Sequence, residues 1–181
     1  MFTAKIQYDE SVIRKLAKVQ YNYFGIKVQL CILGISFFLI LLPVARIISG
    51  PAATLSLILG SCIAASLNYP ARQKARNMIE SAVGDFLYVE YYFMDEAIHV
   101  EVGKEIADIS YEKIIAFLSD AEYVYLFLSQ RSGYVIARNS LQPNDYYSFE
   151  TFIEEKTGLS RESSRSLLFS NIKVLLNRLH Q

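Results

Sequence analysis

The chain has 181 residues, 52% of them hydrophobic, with 18 basic and 18 acidic side chains and a formal net charge of zero. A positive mean hydropathy excludes a wholly water-soluble domain of ordinary make-up. The zero hides segregation: residues 1–79 hold nine Lys or Arg against Asp9 and Glu10 (+7), residues 80–155 hold fifteen carboxylates against four cations (−11), and residues 156–181 hold five cations against Glu162 (+4). An acidic stretch of that size argues against nucleic acid as a partner, which requires a basic footprint.

In chain order, Phe2, Ala4, Ile6 and Tyr8 alternate with Thr3, Lys5 and Gln7, the period of a short strand. Asp9 then caps a helix in which Val12, Ile13, Leu16, Val19, Tyr23 and Phe24 recur at helical spacing, opposite Arg14, Lys15 and Lys18. This N-terminal unit, residues 1–27, is expected to approach a bilayer surface and to feed into the next segment at Lys27.

Between Lys27 and Arg72 the only charged side chain is Arg46, and Gly50-Pro51 divides the run. A helix rises about 1.5 Å per residue and the hydrocarbon core is about 30 Å thick, so roughly 20 apolar residues make one crossing. Residues 28–48 and 52–69 therefore predict a transmembrane hairpin. Since 27 polar-to-amphipathic residues precede it, the first span is expected to be a retained anchor rather than a cleaved signal peptide. Five cations precede the first span and three follow the second, against Arg46 alone in the connection, which predicts a multi-pass protein of the cytoplasmic (inner) membrane with both termini cytoplasmic. Arg46 is read as snorkelling to headgroups at the far interface. Cys31 and Cys62 fall inside the spans and are read as small apolar residues, leaving no thiol pair for a disulfide scaffold or zinc cluster. Ser56, Gly60 and Ala64, at every fourth position, form a ridge for helix packing. Its expected partner is the first span, with Cys31, Gly34 and Ser36; self-association of hairpins into a homo-oligomer is the alternative.

Pro70 opens a basic juxtamembrane helix over residues 70–83, whose Arg72, Lys74 and Arg76 either contact anionic lipid headgroups or act only as topology determinants. Beyond Gly84 the period changes to two. Strands are predicted over residues 86–93, 98–102, 105–110, 114–119, 123–129 and 134–138, with Met94-Asp95-Glu96 and Gly103-Lys104 among the turns. Phe149, Phe152 and Ile153 mark a helix that ends near Gly158. The expected fold class is a membrane α-helical hairpin plus an α+β domain over residues 84–158, an antiparallel barrel or sandwich capped by a helix. Residues 159–181 predict a basic amphipathic helix, with Leu168, Ile172, Leu175, Leu176 and Leu179 on one stripe, that packs on the acidic domain, lies in the membrane interface or binds a partner helix.

Little in the chain carries chemistry. His99 and His180 are far apart, the serines have no base nearby in sequence, and neither GxGxxG nor GxxxxGK occurs. No catalytic, cofactor-binding or metal-ligating residue is assigned. Tyr123, Tyr125, Tyr146 and Tyr147 are candidate partner contacts, although alternate tyrosines on a strand also serve as sheet packing.

The double span, the aromatic strand pair over residues 86–102, Ile109-Ser110-Tyr111-Glu112-Lys113-Ile114, the strand from Tyr123 to Leu128, and Val135-Ile136-Ala137-Arg138-Asn139-Ser140-Leu141 before a short helix resemble the bacterial YcxB-like membrane proteins. Tyr111 stands where that family typically has tryptophan, and Ala137 where it typically has proline. The resemblance implies a C-terminal domain similar to a pleckstrin-homology fold and no established reaction. The charge argues against phosphoinositide recognition by that domain, because its four cations are scattered among fifteen carboxylates. It is expected to stand off an anionic leaflet, repelled within a Debye length of about 8 Å. The expectation is thus a non-catalytic, membrane-anchored module that binds an unknown protein partner as a regulator or assembly factor. The alternatives are an oligomeric transport or pore subunit and an interfacial lipid-binding protein or enzyme.

Overall fold

The first strand, β1 (Phe2–Gln7), turns Ala4 and Ile6 into the core and pairs antiparallel with β2 (Tyr88–Phe93), from Phe2 opposite Phe93 to Gln7 opposite Tyr88. The whole apolar run lies between these two partners in sequence. In the computed structural model the described residues are 1–81 and 88–163. Phe86 and Leu87 of the expected strand, and residues 164–181 of the expected C-terminal helix, lie outside them.

Sheet A continues with β3 (Ala97–Val102) and β4 (Glu105–Ser110) in the order β1-β2-β3-β4, all antiparallel. The turns at residues 94–96 and 103–104 fall where Asp, Glu and Gly-Lys placed them. Sheet B has the order β7-β6-β5-β8, from β5 (Ala116–Ser119), β6 (Tyr123–Phe127), β7 (Gly133–Ala137) and the short β8 (Glu162–Ser163). The β8 strand runs parallel to β5, so residues 162–163, expected within a helix, extend a sheet instead. No ladder joins the two sheets among the described residues, and the domain is open rather than a closed barrel. β1 lies beside β7, where the Tyr8 hydroxyl meets that of Tyr91 at 3.1 Å and accepts the Val135 N–H at 2.8 Å.

Five α-helices complete the described residues: α1 (Glu10–Phe24), α2 (Ile26–Val44), α3 (Gly50–Ala65), α4 (Tyr69–Ser81) and α5 (Tyr146–Thr157). Asp9 caps α1, its carboxylate accepting the Val12 N–H at 2.8 Å. Asp145 caps α5 in the same way, and Gly158, at φ 68°, ends it. α5 plugs the domain: Phe149 and Ile153 are buried, and the Phe149 ring meets Phe2 and Phe93 edge-on at 5.3 and 4.9 Å.

The apolar stripe of α1 turns to sheet B rather than to lipid. Val12, Leu16, Val19 and Tyr23 belong to the domain core, Phe24 meets Phe127 edge-on at 5.3 Å, and Lys15 reaches Glu122 at 2.5 Å. This is why all four residues of β5 and the last four of β6 are buried: α1 covers the face that sheet A and α5 leave open. Each such aliphatic side chain contributes about 1.5–3 kcal/mol on burial. Residues 2–24 and 88–153 thus share one core, and the N-terminal strand and helix are not a separate unit.

If β1 is integral to that core, Ile6→Ala should cost about 2–5 kcal/mol in urea unfolding of the full-length chain in detergent. The outward-facing Gln7→Ala should stay within about 0.5 kcal/mol.

Candidate functional site

Among the described residues two helices are long and apolar enough to cross a bilayer: α2, with a mean hydropathy of 2.2, and the continuous helical stretch Gly50–Ser81, with 1.6. Their apolar windows are only 17% and 11% buried, so they are not core helices of the domain. Large side chains, among them Phe37, Phe38, Leu55, Ile58 and Leu59, stand exposed around the hairpin.

Small and polar residues hold it together. The Ser36 hydroxyl donates to the Gly60 carbonyl at 2.8 Å, and the Ser56 hydroxyl to the Leu39 carbonyl at 2.7 Å. A Cβ on Gly60 would lie 2.8 Å from Ile40 Cγ1 and 3.0 Å from the Ser36 carbonyl, so only glycine permits this approach. Ser56 and Gly60 are therefore turned inward against α2, while Ala64 is half-buried. The ridge is used within the chain.

The root of the hairpin is equally constrained. At the α1–α2 junction the Tyr21 carbonyl accepts the Gly25 N–H at 2.8 Å and the side-chain amide of buried Gln29 at 2.9 Å. The Tyr21 hydroxyl donates to the Leu67 carbonyl at 2.9 Å, tying the end of α1 to the 3-10 turn Ser66–Asn68 that precedes α4. Below it, α1 packs along α4, and Ala17, Ala71 and Ala75 are buried.

The three cations expected to meet headgroups diverge. Lys74 donates to the side-chain oxygen of Gln20, whose amide donates to the Gln130 carbonyl at 2.8 Å; burial, then the nearby Arg131, lower the Lys74 pKa. Arg76 pairs with Glu80 at 2.7 Å. Arg72, exposed, lines a groove between α1 and α4 together with Arg14, Lys18, Asn68, Ala71 and Ala75. The sequence offered a signal for the α1 pair, since Arg14 and Lys18 are four residues apart on one helical face, but not for what that face meets.

The outer face of sheet A carries Lys5, Tyr88, Glu90, Tyr92, His99, Glu101, Ile106 and Asp108, set on one side by the register of the four strands. Tyr88 and Ile106 are 55% and 65% exposed. Glu90 accepts from Lys5 at 2.5 Å and from the Tyr92 hydroxyl at 3.0 Å, which holds its carboxyl below the usual range. His99 Nδ1 lies 2.7 Å from Asp108 and Nε2 3.4 Å from Glu101; the hydrogen bond to Asp108 raises the imidazole pKa.

Of the four tyrosines expected at a partner surface, Tyr125 is a correction. It is wholly buried, with its hydroxyl on Asp120 at 2.8 Å, because α1 covers the face of β6 that the sequence left open. Tyr123 is half-buried under Lys15, whose ammonium lies 4.7 Å from the ring centroid. Tyr146 stacks on Arg138, which pairs with Glu150 at 2.7 Å. Tyr147 is 83% exposed. Among the described residues no group of three or more His, Cys, Asp or Glu is placed to hold a metal ion.

The sequence profile of YcxB-like proteins matches residues 93–153, from the last residue of β2 to the buried Ile153 of α5. This segment is YcxB-like. It takes in β3 to β7 and leaves out β1, the hairpin and α4, which the fold adds to it. No curated protein and no solved structure matches the chain.

Gly60→Val should separate the two apolar helices, costing about 1–3 kcal/mol and lowering the melting midpoint in detergent. Gly34→Val, where a Cβ meets nothing within 4 Å, should leave the midpoint unchanged. On the outer face of sheet A, NMR titration should place the His99 midpoint above 6.5, with Asp108→Asn lowering it. Because the folded value is the raised one, the His99–Asp108 contact stabilises fully below about pH 6.5 and is lost as pH rises through the folded pKa.

Proposed function

We propose that the chain is a two-span protein of the bacterial inner membrane, with both termini cytoplasmic, whose domain is a non-catalytic module that binds a protein partner. The flanking cations support the orientation, and the exposed apolar surface of α2 and α3 supports the membrane. The domain reads as pleckstrin-like: seven successive antiparallel strands in two sheets, closed by a C-terminal helix, with the hairpin inserted between the first two strands.

One observation carries the reading. Both ends of the hairpin are tied to α1, a layer of the domain core: α2 follows it at Gly25, and the returning chain is held to it by the Tyr21–Leu67 hydrogen bond and the packing of α4, so the domain is held at a fixed attitude to the bilayer. Such a mount suits a surface that must be presented in one direction. Polar side chains in and beside the core serve this construction: half-buried Tyr8 ties β1 to β2 and β7, Tyr125 ties β6 to Asp120, Tyr111 ties its hydroxyl to the Met94 carbonyl, and Ser36 and Ser56 tie the spans. The surface presented is the outer face of sheet A, where exposed Tyr88 and Ile106 stand among Glu101 and Asp108. Tyr88, with Lys5 5.3 Å over its ring, and Ile106, beside Glu101 and Asp108, suit a partner with an apolar centre and a basic edge toward the two carboxylates.

A photo-crosslinking residue in place of Tyr88 or Ile106, in native membranes, should yield the same discrete adduct from both positions. The adduct should weaken when Glu101→Lys and Asp108→Lys reverse the charge. No adduct from either position, with the chain present at its normal level, would count against the reading.

A further inference from the structure

The groove between α1 and α4 is not explained by anchoring alone. Arg14 and Lys18 line one wall and Arg72 the other, with the amide of Asn68 at one end and the buried methyl groups of Ala71 and Ala75 as its floor, around a space of about 460 Å³. Arg14 is paired to Glu10 at 3.1 Å. Among the described residues Lys18 and Arg72 have no ion-pair partner, although the domain carries a large excess of carboxylates. The two helices and the turn before α4 thus converge three cations and one amide donor on one concavity, and the charge of Lys18 and Arg72 is left uncompensated.

The position is as informative as the composition. Lys18 precedes the Gly25 junction by seven residues, and Arg72 follows the end of α3 at Ala65 by seven. At about 1.5 Å per residue neither lies more than about 10 Å from the end of an apolar helix. The headgroup layer occupies about 5–8 Å on each side of the hydrocarbon core, and lysine and arginine side chains reach several ångströms back toward it. Tyr69, 63% exposed at the start of α4, is the kind of side chain found at that interface.

From this geometry we infer that the groove binds the phosphate of an anionic phospholipid, taken from the leaflet that the domain faces. The inference rests on the reading of α2 and α3 as membrane spans. Arg72 and Arg14 present planar donor forks to phosphate oxygens, Lys18 supplies a point charge, and Asn68 donates from the membrane end. The shallow alanine floor leaves room for a headgroup against the helices. A lipid held here is pinned between the helix that enters the hairpin and the helix that leaves it. The acidic sheet domain contributes nothing to the site and would repel the same lipid elsewhere.

The test uses the full-length chain in nanodiscs of equimolar phosphatidylcholine and phosphatidylglycerol, with native mass spectrometry of retained lipid and mapping of crosslinks from a headgroup-diazirine phosphatidylglycerol. Phosphatidylglycerol should be retained preferentially, and its crosslinks should fall on residues 14–18 and 68–75. At roughly fivefold per cation, Lys18→Gln or Arg72→Gln should each reduce the preference about fivefold, and the triple variant with Arg14→Gln on the order of 100-fold. Arg76→Gln, whose side chain is paired to Glu80 outside the groove, should have no effect. Equal retention of the two lipids, or wild-type crosslinks that map elsewhere, would overturn the inference without touching the membrane reading. Failure of the chain to enter nanodiscs would overturn both. Displacement of the lipid by inorganic phosphate or glycerol phosphate alone would overturn the lipid as the source, in favour of a soluble phosphate compound.

Discussion

The antiparallel ladder between β1 and β2 is the constraint on which the rest depends. Residues 8–87 separate its two strands, and a flexible loop of that length would carry a substantial closure entropy. The hairpin removes most of that cost. Packing of α2 on α3 returns the chain to its starting point, and the Tyr21–Leu67 hydrogen bond and the α1–α4 contact bring the returning segment beside the outgoing one. The ladder then closes a short path, and the sheet and the hairpin fix each other's geometry.

Helix α1 makes this mutual. Its apolar stripe completes the core against sheet B, so the helix that leads into the apolar hairpin is also a structural layer of the domain. Its polar side is left to face α4 and solvent, which is where Arg14, Lys18 and Arg72 come together. The segregation of charge along the sequence thereby becomes segregation in space. Cations gather at the root of the hairpin, and Glu90, Glu101 and Asp108 spread over the outer face of sheet A.

Much of the local structure was legible in the sequence because period-two and helical patterns depend on neighbours close in the chain. Strands β3 and β4, the turns before and between them, the Asp9 cap and the Gly158 stop stand where the residue types put them. The partners of these elements were not legible. An apolar stripe such as Val12, Leu16, Val19 and Tyr23 has the same spacing whether it meets lipid or a sheet, and only the fold supplied the sheet. Tyr125 went from candidate surface residue to buried core for the same reason. The triplet Arg72, Lys74 and Arg76 looked like one cationic face, but Lys74 turns to Gln20, Arg76 to Glu80, and Arg72 alone to the groove.

By itself the sequence determined the two long apolar helices, the strand and turn pattern of the acidic segment, and the resemblance that the YcxB-like match over residues 93–153 bears out. These follow from composition and short-range periodicity. Only the tertiary structure decided that β1 belongs to the sheet, that Ser56 and Gly60 are spent inside the hairpin, and that Arg14, Lys18 and Arg72 share one groove. Each of those depends on which distant segments pack together, and long-range pairing leaves no local mark on the chain.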